Sequence, residues 1–340
     1  MSKPISAIPL FLMLALTACF KQEDPIVLPQ GNSQISTCFI GTDYENNVYF
    51  DLGTNTYQIH PSDDWDIRFE SDDTAWGMFI NTGNNIKLYK TDLYALNDPR
   101  SDDTNYIKSF KPLIDAPEGN PFTSASANWR LFKRRGIADS LGVYVIDLSY
   151  ESGSSQYKKV QILNVTHAAY RFVIADLYST QSDTIILLKD KSSNYSYFSF
   201  RNGGQIVQSV EPNQAHWDFM FTRYNHNFMG ILPNNEPFPY RVAGVLCNRN
   251  GVLVARDSTT GFDAINAGMI RQLQFSDRAN AIGYDWKSHA FAAAGNYVVN
   301  QKITYIIKDT DGQFFKLRFL DFYNAKAEKG YPKFEFIRIQ

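Results

Sequence analysis

The feature that most constrains this fold is a set of three landmarks that occurs twice, in the same order. A Trp-Asp pair followed by alternating apolar residues, DDWDIRFE, carries Trp65 and returns as AHWDFMFT with Trp217. The stretch QYKKVQIL at 156–163 returns as QFFKLRFL at 313–320, and YRFVIADL returns as YPKFEFIRI. The separations are 152, 157 and 162 residues, and loop insertions produce drift of this size. A repeat of this length predicts two copies of one domain and not a solenoid unit.

Each copy is predicted to consist of β-strands. The chain has 20 Tyr and 25 Phe, and stretches with helical periodicity are scarce. The clearest strands lie near the end, where two apolar runs flank DTDG at 309–312. In the second run Phe315, Leu317 and Phe319 alternate with basic residues such as Lys316. This alternation predicts a strand with one buried face, and the Asp-Gly turn predicts a hairpin.

The expected fold class is therefore all-β, with two antiparallel β domains in tandem. The segment NYSYFSF resembles NNVYFDL, and each would be the first strand of its copy. We place the boundary between the copies near residue 190. The predicted organisation is a signal peptide at 1–18, a tether at 19–36, a first β domain at 37–188 and a second at 189–340.

The first residues of the chain are predicted to be a targeting segment. Lys3 precedes an apolar run at 8–16 that is too short to span a membrane, and the run ends in LTAC, with Cys19 last. This pattern resembles a bacterial lipobox, which implies cleavage before Cys19 and lipid on its thiol and on the new amino terminus. The alternative is an ordinary secretory signal with an incidental cysteine. Several acyl chains would hold the mature chain on a membrane.

The residues after Cys19 bear on where that membrane is. The segment FKQED resembles the charged signal that directs some lipoproteins to the outer surface of the outer membrane. The alternative is an ordinary polar linker. The formal charge of the whole chain is −2, without the basic patch that a nucleic-acid-binding protein needs.

Two further cysteines, Cys38 and Cys247, leave two possibilities open. Outside the cytoplasm they could form a disulfide that ties the two copies together. Equally, they could be two buried free thiols.

The Trp-Asp pairs favour a structural role. Trp65 and Trp217 are expected to be buried beneath a sheet, and a buried indole N–H needs a partner. Asp66 and Asp218 would then point to the opposite face and accept backbone N–H bonds that fix a strand end. A catalytic role is the alternative, but no His, Ser or Cys lies nearby in a pattern that would support one.

With these landmarks, the second copy resembles the HmuY family of haem-binding lipoproteins. The resemblance rests on HWDFMF and on ITYIIKDTDGQFFKLRFLDFYNAKAEKGYPKFEFIRI. It covers roughly 190–340 and, more faintly, 38–178. It implies a cupped all-β fold that binds haem on the outer bacterial surface and delivers it to a partner, such as a TonB-dependent outer-membrane receptor. The chain departs from the family in its length, because typical members have one copy.

Family members hold the iron with two axial side chains, a His pair or a Met pair, before the final hairpin. In this chain the corresponding stretch, 255–292, offers His289 and Met269 and no second histidine. A His/Met pair is a known haem ligation. The alternatives are a surface histidine and a core methionine. The stretch at 97–140 in the first copy has no His or Met, so haem is expected in the second copy if it binds through protein ligands.

The other histidines do not show the spacing of a zinc site; they are His60, His167, His216 and His226. There is no Gly-rich phosphate loop, GxSxG or HExxH motif, so we do not expect an enzyme. The main hypothesis is a surface haem-binding lipoprotein that acts in iron acquisition. The alternative is a surface adhesion or glycan-binding module with the same fold and no haem.

Overall fold

The computed structural model describes residues 31–127, 129, 141–290 and 296–339. The predicted signal peptide, Cys19 and most of the predicted tether lie outside these residues. The described chain is nearly all-β, with 43% strand and 10% helix, which confirms the predicted fold class. No helix in these ranges is long and apolar enough to cross a bilayer.

In chain order, the strands of these residues are β1 (Gln34–Thr37), β2 (Asn46–Asp51), β3 (Thr56–Pro61), β4 (Ile67–Glu70), β5 (Met78–Ile80), β6 (Lys87–Lys90), β7 (Pro112–Leu113), β8 (Tyr144–Asp147), β9 (Tyr157–Val165), β10 (Ala169–Asp176), β11 (Asp183–Leu188), β12 (Tyr195–Ser199), β13 (Gln205–Val207), β14 (Phe219–Phe228), β15 (Phe238–Cys247), β16 (Leu253–Asp257), β17 (Lys287–Ala290), β18 (Asn296–Val299), β19 (Thr304–Lys308), β20 (Phe314–Tyr323) and β21 (Lys329–Ile339).

The helices are short. Two are α-helical, α1 (Thr104–Lys108) and α2 (Ala267–Ile270). The described 3-10 turns are Thr82–Asn84, Pro99–Asp102, Gly153–Gln156, Arg201–Gly203, Pro233–Asn235 and Phe262–Ala264.

The two larger sheets have the same order over five strands, and one of them adds a sixth strand, β7, at its edge. The sheet formed mainly by the C-terminal strands runs β1-β21-β20-β19-β16, and the other runs β11-β10-β9-β8-β6-β7. The hairpins β19–β20 and β8–β9 occupy matching places, and β1 and β11 each add an antiparallel edge strand. Phe334 lies opposite Phe319, and Phe172 lies opposite Ile162, so the sequence alignment of these stretches matches the register of the strands.

The two four-stranded sheets also match, and each combines strands from both halves of the sequence. One runs β13-β12-β4-β5 and the other runs β3-β2-β14-β15. The first hairpin of the chain, β2–β3, therefore pairs with β14, while β12–β13 pairs with β4. A fifth sheet contains only β17 and β18. The first hairpin of each half of the sequence is thus paired with strands of the other half.

The hydrophobic cores follow the exchanged strands. Val48, Phe50 and Leu52 of the first hairpin pack in one cluster with Phe219 and Phe334. Ile67, Phe172 and Phe198 pack in a separate cluster of the other half. The exchange places a strand near the N-terminus inside the core of the C-terminal half, where its aromatic and aliphatic side chains are removed from water. The tether predicted for 19–36 overlaps β1, which pairs with β21.

The predicted hairpin around DTDG is present as β19 and β20, with Gly312 at φ +82° in the turn. Phe315, Leu317 and Phe319 are buried on one face, as expected. The expectation of a single buried face is wrong at Lys316, whose side chain is also buried. Its Nζ donates to the carbonyl oxygens of Phe262 at 2.9 Å and Ile265 at 3.1 Å. A segment covering the second face of the sheet supplies the acceptors that make this burial tolerable.

Cys38 and Cys247 are free thiols buried in the same core cluster. Burial raises the pKa of the Cys247 thiol to about 12 and also raises the pKa of Cys38. Both are therefore neutral core residues in this structure.

Candidate functional site

The two Trp-Asp stretches occupy equivalent places and hold the exchanged hairpins. Asp218 accepts the N–H of Leu52, just after β2, at 2.7 Å and the N–H of Thr310 at 3.0 Å. Asp66 accepts the N–H of Phe200, just after β12, at 2.6 Å. Burial raises the pKa of Asp218 to about 7 and raises the pKa of Asp66. Each aspartate thus binds the end of a hairpin that comes from the other half of the sequence.

The neighbouring residues repeat this correspondence. Trp65 packs edge-on against Tyr197 at 5.3 Å, and Trp217 packs edge-on against Tyr49 at 5.1 Å. The Nδ2 of Asn248 donates to the carbonyl of Trp217 at 2.7 Å, and the side chain of Asn81 makes the same bond to Trp65. These contacts are structural, as the sequence favoured. The expected indole partner is absent: neither indole N–H finds an acceptor among the described residues.

His289, a predicted ligand, lies on β17. Its side chain is exposed, and its ring meets the ring of Tyr297 edge-on at 5.3 Å. Tyr297 lies on β18, directly opposite His289 in the hairpin, and packs against the core of the C-terminal half. His289 is therefore presented to solvent on a hairpin whose other side is anchored.

Lys287 anchors that hairpin. Its buried Nζ donates to the carbonyl of Ala243 on β15 at 2.6 Å. The ammonium group also lies 4.3 Å from the ring centre of Trp286 and 4.8 Å from that of Phe322. Burial lowers the pKa of Lys287 to about 7. Burial therefore disfavours the charged ammonium form, although the aromatic rings attract it.

Met269, the other predicted ligand, lies half-buried on α2. Asn266 caps this helix by accepting the N–H of Gly268 at 3.0 Å. The next residue, Ile270, packs with Ile306 and Phe314 in a small cluster distinct from the one that Tyr297 contacts. The neighbours Tyr297 and Ile270 therefore pack in different hydrophobic clusters.

A third group of rings surrounds His226, which the sequence did not select. His226 lies near the end of β14, with its ring 4.8 Å from Phe228 and 4.7 Å from Tyr284. Tyr240 lies opposite His226 on β15. The sequence carried a signal for this group in NHNFMGILPNNEPFPY, where aromatic residues flank a polar turn. The spacing of the histidines does not reveal this group of rings, because Tyr284 is distant from His226 in sequence.

The remaining histidines lie at separate places. His60 Nδ1 is 2.9 Å from the carbonyl of Pro61, His167 Nδ1 is 3.2 Å from that of Asp73, and His216 is exposed. Among the residues that the structure describes, no three His, Cys, Asp or Glu side chains form a group that could hold a metal ion. A haem iron would instead be bound by one or two side chains, with the porphyrin supplying the other ligands.

A polar cleft of about 310 Å³ lies where the two halves meet. It is lined by the end of β4, the start of β12 and the loops that follow β4, β11 and β15; the lining residues include Glu70, Asp72, Lys191, Tyr195, Arg249 and Asn250. Arg249 Nη1 pairs with Glu70 Oε1 at 2.7 Å. Its lining is mainly charged and amide side chains, which suits a polar ligand better than a porphyrin.

Comparison with known proteins gives one family match. Residues 242–336 match the family described as HmuY protein. No curated protein matches the chain.

The chain is also similar to solved structures at low identity. They include a protein described as HmuY-like and haem-binding from Bacteroides vulgatus, with 9% identity, TM-score 0.24, and coverage of 89% of this chain and 90% of that one. Apo PinO from Porphyromonas gingivitis shows 8% identity, TM-score 0.27, and coverage of 91% and 98%. The apo HmuY analogue of Tannerella forsythia shows 11% identity, TM-score 0.27, and coverage of 93% and 99%.

Scores at this level support no argument about this chain, so the family match carries the identification. The matched residues begin in β15 and end in β21, and they include the hairpin β17–β18 and helix α2. The similarity to the HmuY family therefore covers the segment of the chain from β15 to β21.

Proposed function

We propose that the mature chain is a haem-binding lipoprotein of the HmuY type that acts in haem acquisition. The family match over residues 242–336 is the observation that carries this proposal. The lipobox-like LTAC supports anchoring through Cys19, and the FKQED segment supports a position on the outer surface of the outer membrane. Haem would be cargo, passed on to a TonB-dependent receptor, and the chain would be a carrier and not an enzyme.

The proposal includes a duplication of one β unit. The matching strand orders of the paired sheets and the matching contacts of Asp66 and Asp218 support it. The two units would correspond to the sequence on either side of residue 190, with their first hairpins exchanged. An exchanged hairpin is a form of swapping that needs no rearrangement of the remaining strands.

His289 and Met269 remain the ligands that the sequence proposes. Imidazole and thioether both bind haem iron, and a methionine ligand raises the potential relative to two histidines. The exposed position of His289 fits access by a large planar ligand.

Titration of haemin into the mature chain, followed by absorbance, tests this function. A saturable Soret band is expected, and its loss in His289→Ala and Met269→Ala would support the ligand pair. His167→Ala is a matched control, since this exposed histidine lies in the other half. Failure of the wild-type chain to form any saturable band would refute haem binding.

The polar cleft favours a second candidate, a glycan-binding surface module. Its charged and amide side chains resemble the hydrogen-bonding surfaces that polar ligands require. Binding of cell-surface polysaccharides to the wild-type chain, weakened by Asn250→Ala and Asp72→Ala, would support this candidate. Saturable haem binding with no polysaccharide binding would exclude it.

A further inference from the structure

The hairpin β14–β15 extends beyond its sheet as a two-stranded arm. Strand β14 pairs with β2 only over Phe219–Phe221, whereas its pairing with β15 continues to Phe228. One edge of the arm packs on the 3-10 turn Thr82–Asn84 of the other half, through the bond from Asn225 N–H to the Thr82 hydroxyl at 3.2 Å. The arm is therefore held at a fixed position instead of projecting freely.

Aromatic rings are concentrated on one face of this arm. His226 and Phe228 lie two residues apart on β14, so their side chains share a face, opposite Tyr240 and Phe238 on β15. Tyr284 covers the same face, 5.6 Å from Phe228. Ring contacts with centre-to-centre distances of 4.7 to 6.3 Å connect all five rings.

The tip of the arm exposes large apolar side chains that a monomeric soluble surface usually avoids. Met229 is 56% exposed, Ile231 57% and Tyr240 57%. They adjoin the ring group in sequence or in register. Several exposed large apolar side chains on one short hairpin are typical of a binding surface.

His226 gives this surface a metal-binding donor. Its ring makes no hydrogen bond to any other residue in the described ranges, in contrast to His60 and His167. Burial lowers the pKa of His226, and the carboxylates of Glu118 and Asp285 oppose this effect. The imidazole is therefore neutral at pH 7, which is the form that binds iron.

We propose that the ring face of the arm, formed by His226, Phe228, Tyr240 and Tyr284, is a docking surface for an iron porphyrin, with a nitrogen of His226 as an axial ligand. This inference rests on the proposed haem-binding function and assigns it a site outside the stretch 255–292. The aromatic side chains would cover the porphyrin through stacking and edge contacts.

Titration with two porphyrins, one with iron and one without, distinguishes coordination of the iron from stacking of the ring on aromatic side chains. Haemin and iron-free protoporphyrin IX are titrated into the full mature chain and followed by absorbance and tryptophan fluorescence. His226→Phe keeps an aromatic ring in the group and removes the donor. We expect it to weaken haemin binding by about tenfold or more and to alter the Soret spectrum, with little effect on iron-free protoporphyrin. Tyr240→Ala, at an exposed position, should weaken both.

The control is His216→Ala, an exposed histidine ten residues before His226. His289→Ala and Met269→Ala are measured beside it as tests of the competing ligand pair. An unchanged haemin spectrum and affinity in His226→Phe, with loss in His289→Ala or Met269→Ala, would overturn the arm assignment and leave the proposed function intact. Absence of saturable haemin binding in the wild type would instead refute the proposed function. Binding of polysaccharide, but not porphyrin, to the wild-type arm would overturn both.

Acidification gives an independent readout. Because the imidazole must be neutral to bind iron, haemin affinity in the wild type should fall as the pH drops through the lowered pKa of His226. Haemin binding to His226→Phe should lack this fall. A fall of the same size in both proteins would contradict coordination by His226.

Discussion

The two halves of this molecule have matching sheets and differ in the length of two of the matching strands. In one half, β4 and β5 have four and three residues. In the other, the matching strands β14 and β15 have ten residues each and form the aromatic arm. Each pair of strands begins just after an aspartate, Asp66 or Asp218, that accepts a backbone N–H from the exchanged hairpin. The two halves therefore share a strand arrangement, and among the described residues the long β14–β15 extension lies in the C-terminal half.

A second difference lies between the strands of the larger sheets. Between β6 and β8 the first half places α1 and β7, whereas between β16 and β19 the second half places α2 and the hairpin β17–β18. Loops carried on a rigid scaffold are where binding residues are usually found. We therefore expect the binding residues on the arm and on this hairpin, both in the C-terminal half.

The largest expected effect tests the exchanged cores. Phe50 and Phe198 are matched residues, both fully buried, and each lies opposite the first strand residue after its Asp. Phe50→Ala should cost about 3–5 kcal/mol and lower hydrogen-exchange protection mainly in residues 214–339. Phe198→Ala should lower protection mainly in residues 62–188. Loss of protection in β6–β10 after Phe50→Ala would contradict the exchange.

A smaller effect is expected at the aspartates. Asp218→Asn removes one acceptor oxygen from a buried group and should cost about 1–3 kcal/mol. Because the pKa of folded Asp218 is raised to about 7, the folded state binds more protons than the unfolded state between pH 4 and 7. Wild-type stability therefore has a contribution that falls as the pH rises through this window, and Asp218→Asn should lose it.

Asp66→Asn is the matched variant in the other half. The pKa of Asp66 is raised too, so the same direction is expected. Denaturant unfolding at several pH values measures both variants. A pH slope that is unchanged in Asp218→Asn would show that this carboxyl does not titrate as the structure implies.

The smallest effect concerns the hairpin β17–β18, which has no counterpart in the described part of the first half. Burial lowers the pKa of Lys287 to about 7, so the unfolded state binds more protons between pH 7 and 10.5 and stability should rise with pH there. Lys287→Met should remove this rise while changing stability at pH 7 by about 1 kcal/mol. A rise that persists in Lys287→Met would point to another titrating group.

The alternating apolar patterns predicted the hairpin around Gly312, and the three landmarks predicted the matching places of Trp65 and Trp217. The exchange of hairpins was not predictable, since alternation fixes which face of a strand is buried but not which strand it pairs with. Burial of Lys316 depends on acceptors at Phe262 and Ile265, more than fifty positions away.

The candidate site residues also fall into a part that the sequence predicted and a part that it did not. The stretch 255–292 was found through motifs that are local in sequence, and the family match includes all of it. The group around His226 was missed because it is assembled from two strands and a distant loop. Local spacing detects residues that are close in sequence and does not detect groups that the fold brings together from distant segments.

The most direct measurement is the stoichiometry of haemin binding to the full mature chain, determined by absorbance titration. The difference between the halves predicts a saturable Soret band that reaches its plateau at one haem per chain. A plateau at two haems, or the absence of a saturable band, would contradict a single haem site in the half that carries the arm.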